Sequence, residues 1–162
     1  MRNTRRYGLA LLTPLICLFA ANVAWGAVGI DATVFKDQNT PSTTVTTPAF
    51  SISSGNQLLL AFVSADNVST PKTTVTAMSG GGLTWVLVRR TNVQLGTAEI
   101  WRAFSVAPLS AISVRATLSQ AVDSSITVMS FTGVDATGTN GSGAIGATGT
   151  GNAATGMPTA TP

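Results

Sequence analysis

The chain alternates short apolar runs with clusters of turn-forming residues, a pattern that predicts β-strands. The clearest run is Gln57–Ala65, which is apolar at both odd and even positions and therefore predicts a central strand covered on both faces. It lies between Ser53–Asn56 and Asp66–Asn67, which are residue types typical of turns. In Ala111–Leu118 apolar and polar residues alternate, which predicts a half-buried strand with one wet face.

The same criteria apply along the rest of the chain, and no window shows a sustained helical period. The predicted strands are Val28–Phe35, Thr43–Ile52 with a break at Pro48, Gln57–Ala65, Thr73–Met78, Leu83–Arg90, Thr97–Val106, Ala111–Leu118 and Ser125–Phe131. Such a series predicts an all-β, antiparallel β-sandwich of jelly-roll-like form over residues 27–134. Residues 135–162 are rich in Gly, Ala and Thr, and we expect them to be a flexible loop or linker.

The N-terminus has the pattern of a secretory signal peptide, residues 1–26. Arg2, Arg5 and Arg6 precede an apolar stretch from Leu9 to Val23, and small residues follow it at the expected cleavage position after Gly26. The alternative is a retained membrane anchor. The apolar stretch is short for a membrane-spanning helix and contains a proline and an asparagine, which favours cleavage and no membrane span afterwards. We therefore expect a secreted or cell-surface protein, of a kind that suits a bacterium.

Removal of this segment would change the charge and the chemistry of the chain. Three of the nine basic residues lie in it, so the remaining six balance the six acidic residues. A neutral chain gives no electrostatic reason to expect nucleic acid as a partner. The single cysteine, Cys17, would leave as well, so the exported chain could form no disulfide.

The sequence contains no histidine, which removes the common routes to catalysis. Ser-His-Asp and Cys-His mechanisms and His- or Cys-ligated metal sites are excluded. The six acids are scattered, and Glu99 lies inside a predicted strand. A carboxylate-pair enzyme remains the alternative, but we expect a protein that is not an enzyme and needs no cofactor.

Two sets of residues could bind a ligand. Carbohydrate sites stack sugar rings on an exposed aromatic residue, and Trp101 shares its side of the strand with Glu99, while Arg102 is adjacent. Trp85 shares its face with leucines and is expected in the core. Calcium could bind oxygen ligands at Asp66 and Asn67, although ordinary turn residues are the alternative interpretation there.

Four motifs within residues 56–134 carry a resemblance to a known kind of domain: N-Q-L-L-L-A-F-V-S-A-D, G-G-G-L-T-W-V-L-V-R-R-T-N, G-T-A-E-I-W-R-A-F-S and I-T-V-M-S-F-T-G-V-D. In this order they resemble a β-sandwich module that recurs in large secreted bacterial proteins and in some phage tail proteins. The resemblance implies a jelly-roll-like fold and brings no catalytic residues with it. Such modules continue with further strands after the Gly/Ala-rich stretch, so the resemblance also implies that the chain is truncated within the module.

The sequence thus favours a secreted, non-catalytic β-sandwich module that acts as a structural or adhesive unit. The alternative is a carbohydrate-binding module that uses Trp101 as its stacking surface. The expected partners are an extracellular polysaccharide or a cell-surface protein.

Overall fold

The computed structural model describes residues 26–153 and 159–160; all of the predicted signal peptide except Gly26 lies outside them. Eight β-strands and one 3₁₀ turn are present in the described part. The strands are β1 Gly29–Thr46, β2 Phe50–Ile52, β3 Gln57–Ala65, β4 Val75–Gly80, β5 Val86–Thr91, β6 Thr97–Ser105, β7 Leu109–Ile112 and β8 Val114–Thr132, and the turn is Ser142–Ala144. None of the described residues belongs to a helix with the length and apolar character needed to cross a membrane.

The strand pairs are nested, so that the first strand pairs with the last. β1 pairs with β8, β2 with β7 and β3 with β6, all antiparallel, and β3 also pairs with β8. The larger sheet has the order β1-β8-β3-β6-β5, while β4 pairs with the first part of β8. Nested pairs of this kind arise when a long hairpin folds over on itself, as in a jelly roll. The predicted antiparallel β-sandwich with jelly-roll-like pairing is therefore confirmed.

β1 and β8 are longer than the sequence predicted, because each continues through a bend. The first part of β8, Val114–Leu118, pairs with β4 and with the end of β1, whereas Ser124–Phe131 pairs with β3 and with the start of β1. The polar residues at 119–124 of β8 lie at the bend, and β1 has register shifts between Gln38 and Thr44. Polar residues at an edge or a bend look like turns in the sequence, which is why each long strand was predicted as two.

The core lies between two layers of strands: β3 with its neighbours forms one layer, and β4 with the first part of β8 forms the other. Leu59, Ala61 and Val63 of β3 project into it and are at most 2% exposed. They pack in one cluster with side chains of β4 and of the first part of β8, including Val75 and Leu118. Burial of a leucine or valine side chain contributes about 1.5–3 kcal/mol, so this cluster holds the two layers together.

The other side of the larger sheet, its outer face, is also apolar. It carries Leu58, Leu60, Phe62, Ile100, Phe104, Met129 and Phe131, which alternate with the core residues along their strands. Residues 135–153 lie against this face: Arg102 Nε donates to the Asn140 carbonyl oxygen at 3.1 Å, and Arg89 Nη2 donates to that of Thr148 at 3.1 Å. In the described residues of the segment predicted as a loop or linker, 135–153 and 159–160, there is no strand, but residues 135–153 cover part of the sheet because their small side chains permit close approach.

Candidate functional site

Glu99 of β6 lies in the core, where both carboxylate oxygens are hydrogen-bonded. Its Oε1 accepts from Arg90 Nε at 2.8 Å, from the Val75 backbone N–H at 2.8 Å and from the Thr97 hydroxyl at 3.2 Å. Its Oε2 accepts from Arg90 Nη2 at 3.0 Å and from Trp101 Nε1 at 2.9 Å. The Glu99 side chain has no exposed surface. The cluster ties β4, β5 and β6 together and leaves the carboxylate enclosed by the protein.

The structure brings Glu99 and Trp101 together but separates both from Arg102. Trp101 is half-buried, packs against the core and uses its indole N–H to bind Glu99. Arg102 projects to the outer face, where it binds the backbone at Asn140. The three predicted ligand-binding residues therefore do not share one exposed surface. Trp85, expected in the core, is 9% exposed and does lie there.

The polar side of β6 is its inner side, which alternation alone did not show. Ala103 and Ser105 share that side with Glu99 and are at most 2% exposed. Ile100 and Phe104 take the outer side, where residues 135–153 cover part of the sheet. The signal that identifies the inner side is Arg90, which lies opposite Glu99 on β5 and neutralises its charge.

The two predicted calcium ligands, Asp66 and Asn67, make different contacts in the structure. Asn67 Oδ1 accepts from the backbone N–H of Thr73 at 2.8 Å and closes the loop between β3 and β4. Asp66 is exposed, and its backbone N–H donates to the Asp123 carbonyl oxygen at 3.0 Å. Within the described part of the chain no three His, Cys, Asp or Glu side chains converge in a way that could hold a metal ion.

A groove lies on the outer face, and we term it the outer groove. It consists of two adjoining cavities of about 540 and 390 Å³ that share Ser64, Thr91, Ala98, Ser125 and Gly151. The larger cavity lies where β3 ends and β6 begins and contains Asp37, Asp66 and Asp123; we term it the acidic end. The smaller contains Phe62 and Ile100 and is the apolar end.

Strand register explains why these residues meet. Asp37 of β1 lies opposite Ser125 of β8, which lies opposite Ser64 of β3, and Ser64 lies opposite Ala98 of β6. These four residues form a row across the sheet. Phe62 is two residues from Ser64 along β3, so the apolar end begins about 7 Å from this polar row.

Two segments form the walls of the groove. One is the loop between β5 and β6, which includes Gly96; the other is 149–153. The backbone of Gly96 has φ +94°, and a Cβ there would lie 2.6 Å from the Ala65 carbonyl oxygen, so glycine lets the loop approach the end of β3. Gln94 Nε2 and Asn152 Oδ1 lie 3.4 Å apart and connect the two walls.

One buried polar group beneath the groove has no partner among the described residues. Ser124 lies opposite the core residue Ala65, so its side chain faces the core side of β8 rather than the groove floor; it is 9% exposed, and its hydroxyl makes no hydrogen bond to the described residues. A buried hydroxyl without a partner is uncommon in folded proteins and costs free energy unless a water or a ligand satisfies it. The groove was not predicted from the sequence, because its residues come from β1, β3, β6, β8 and two loops that meet only in the folded chain.

Comparison of the chain with protein families, with curated proteins and with solved structures found no match. The resemblance to a secreted bacterial module therefore stays a prediction from the motifs.

Proposed function

We propose that the chain is a secreted, non-catalytic β-sandwich module that serves as an adhesive unit of an extracellular bacterial protein. The observation that carries the proposal is the outer groove. Its floor offers the hydroxyls of Ser64 and Ser125, its acidic end offers three carboxylates, and its apolar end offers Phe62 and Ile100. A surface with these groups can hold a partner by shape, hydrogen bonds and charge.

The residue inventory supports binding over catalysis. The sequence has no histidine, and its one cysteine lies in the predicted signal peptide. Glu99, the acid inside the core, is fully enclosed and has hydrogen bonds at both oxygens. A substrate could reach this carboxylate only after the hydrogen-bond cluster opened, so the position of Glu99 favours a structural role over a catalytic one.

Export is supported by the N-terminal pattern of basic residues followed by an apolar stretch and small residues. An adhesive unit outside the cell is consistent with a sandwich whose layers are joined by apolar packing and a buried ion pair and need no disulfide.

An adhesion assay tests the proposal. Beads that carry the purified protein are flowed over immobilised cell-surface proteins and polysaccharides, and retention is measured. Ser125→Trp fills the centre of the groove and should abolish retention, whereas Thr33→Trp, on the exposed part of β1 outside the groove, should leave it unchanged. Hydrolysis of any offered substrate that disappears when one carboxylate is replaced would overturn the non-catalytic assignment.

Carbohydrate binding at Trp101 is the second candidate, favoured by the partial exposure of this indole ring. Stacking needs a free ring face, and the Trp101 N–H is already bound to Glu99, so only the ring would contact a sugar. Polysaccharide pull-down separates the two candidates. Loss of binding in Trp101→Ala with retention in Ser125→Trp supports the Trp101 site, and the opposite result supports the groove.

A further inference from the structure

The sequence contains one Asn-Gly pair, Asn140–Gly141, and it lies in the segment that covers the outer face. Both residues have left-handed backbone conformations, with φ +51° at Asn140 and φ +76°, ψ +21° at Gly141. The Ser142 backbone N–H donates to the Thr139 carbonyl oxygen at 3.2 Å and closes the turn. These values describe a type I′ turn, in which Asn and Gly are the preferred central residues because both tolerate a positive φ.

An Asn-Gly pair is chemically labile, because glycine has no side chain to hinder attack on the asparagine amide. The Gly141 backbone nitrogen gives its proton to water and attacks Asn140 Cγ; the N–Cγ bond forms, the Cγ–Nδ2 bond breaks, and the nitrogen leaves as ammonia with a proton from water. Water then opens the cyclic imide at either of its two carbonyls. One product is an aspartate. The other is an isoaspartate, in which the side-chain methylene has become part of the backbone.

The folded turn holds the reacting atoms apart. In a type I′ turn the ψ of the first central residue is about +30°, which places Asn140 Cβ nearly trans to the Gly141 nitrogen across the Cα–C bond, whereas ring closure requires them to be cis. Gly141 is also buried against the sheet: a Cβ built on it would lie 2.8 Å from Leu58 Cδ1 and 3.3 Å from Phe104 Cδ2. Packing this close leaves no room for the peptide to rotate. The ring can therefore close only after the turn has lifted from the sheet.

Arg102 holds the turn in its closed position. Its Nε donates at 3.1 Å to the Asn140 carbonyl oxygen, which belongs to the peptide that must rotate before the ring can close. A hydrogen bond from a charged donor is stronger than one between neutral groups, so Arg102 opposes both lifting and cyclisation. The Asn140 side-chain amide and the Gly141 N–H make no hydrogen bond to the described residues. Once the turn has lifted, no such bond has to be broken before they react.

We propose that Asn140–Gly141 is a site of self-modification that the fold controls. Contact of the turn with Leu58, Phe104 and Arg102 keeps the pair intact, and lifting of residues 135–153 exposes it to cyclisation. Formation of isoaspartate makes the lifting irreversible, because the added backbone methylene lies where Gly141 fits against Leu58 without space for one more carbon. The aspartate product keeps the normal backbone and can close again. The proposal does not depend on the adhesive function.

The test compares the purified protein with an end-capped peptide of the sequence of residues 137–143, Thr-Gly-Thr-Asn-Gly-Ser-Gly, at neutral pH. Tandem mass spectrometry measures the conversion of Asn140 with time. We expect the protein to react at least about tenfold more slowly than the peptide, because only its open fraction can react. Arg102→Met should speed the reaction about tenfold, the lower end of the effect of losing a hydrogen bond to a charged group. Arg89→Met is the matched control: it removes the bond to Thr148, outside the turn, and should leave the rate within about twofold of the parent.

Dye binding tests the irreversible step. The isoaspartyl form, separated by ion exchange, should bind an apolar dye more strongly than the parent, whereas Asn140→Asp, which has a normal backbone, should bind it like the parent.

Three results would overturn the inference: a folded protein that reacts as fast as the peptide, equal rates in Arg102→Met and Arg89→Met, or an isoaspartyl form that binds no more dye than Asn140→Asp. Circular dichroism establishes that both arginine variants are folded, and the comparison of the parent with the peptide needs no variant. The other asparagines of the described chain precede residues with side chains and serve as internal standards in the same spectra; they are Asn39, Asn56, Asn67, Asn92 and Asn152.

Discussion

Arg90 and Glu99 lie directly opposite each other on β5 and β6, and the Arg90 guanidinium donates two hydrogen bonds, of 2.8 and 3.0 Å, to the enclosed Glu99 carboxylate. The Arg90 side chain is 30% exposed, so only one partner of the pair is fully removed from water. Arg90 Nη2 also donates to the Val75 carbonyl oxygen at 2.9 Å. The pair therefore joins β5 and β6 of the larger sheet to β4 across the core.

Replacement Glu99→Gln should strongly destabilise the protein. The amide would turn a donor toward Arg90 or Trp101, which are donors themselves, and would leave the guanidinium without its counter-charge. Breaking one side of a buried pair costs about 3–5 kcal/mol, and the partial exposure of Arg90 places the expected loss near the lower value. Urea unfolding measures it.

The control for Glu99→Gln is Asp37→Asn, an exposed acid that should change the free energy of unfolding by less than about 0.5 kcal/mol. The double replacement of Arg90 by Met and Glu99 by Leu should be less destabilising than Glu99→Gln, because it removes both charges. A loss below about 1 kcal/mol in Glu99→Gln would contradict the role assigned to this pair.

The Trp101 N–H should contribute to stability through its 2.9 Å hydrogen bond to the Glu99 carboxylate. Trp101→Phe keeps a ring and removes that donor, so we expect a loss of about 1.5–3 kcal/mol, typical for a hydrogen bond to a charged group. The same substitution in a Glu99→Leu background should cost clearly less. Equal costs in the two backgrounds of this double-mutant cycle would show that only ring packing matters.

Asp31 should make the stability of the protein depend on acid pH. The side-chain amide of Gln57 and then the backbone N–H and hydroxyl of Ser53 donate to it and lower its pKa in the folded state. The carboxylate therefore stabilises the fold above its unfolded pKa of about 3.9, and this contribution is lost as pH falls through the lower folded value. Relative to the parent, Asp31→Asn should be less stable at pH 7, with a gap that narrows as pH falls below about 4.

Ser53→Ala serves as the graded comparison for this pH effect. It removes one of the donors to Asp31 and leaves the backbone N–H and Gln57 in place. The difference in stability between Ser53→Ala and the parent should therefore change less with acid pH than the difference between Asp31→Asn and the parent. If the free energies of unfolding of the parent and of Asp31→Asn changed with pH in parallel, the proposed coupling between Asp31 ionisation and stability would be ruled out.

The sequence predicted β3 with its observed bounds, because a central strand is apolar on both faces and its ends are marked by turns. It also placed Trp85 in the core from its apolar neighbours. Which side of β6 faces the core depends on contacts with distant parts of the chain. Arg90 lies opposite Glu99 on the inner side, and residues 135–153 cover part of the outer side. The outer groove is non-local too, since Asp37, Asp66 and Asp123 meet only through strand pairing and loop packing.

The cover over the outer face should depend on Gly141. This residue has φ +76°, and a Cβ there would lie 2.8 Å from Leu58 Cδ1 and 3.3 Å from Phe104 Cδ2. In Gly141→Ala the alanine would have to adopt the left-handed backbone conformation, which costs about 1 kcal/mol, and its Cβ would also clash with the sheet. We expect residues 135–153 to be displaced from Leu58 and Phe104, with about 1–2 kcal/mol less stability, stronger binding of an apolar dye and faster cleavage by thermolysin near Ile145.

Gly146→Ala is the matched control, because nothing lies within 4 Å of the Cβ it would add. It changes the same residue type in the same segment and should leave dye binding, cleavage and unfolding close to those of the parent. If Gly141→Ala behaved like Gly146→Ala in all three measurements, contact between Gly141 and the sheet would not be what holds the segment in place. A difference confined to Gly141→Ala would show that residues 135–153 are an integral structural part of the sandwich, which also supplies one wall of the outer groove.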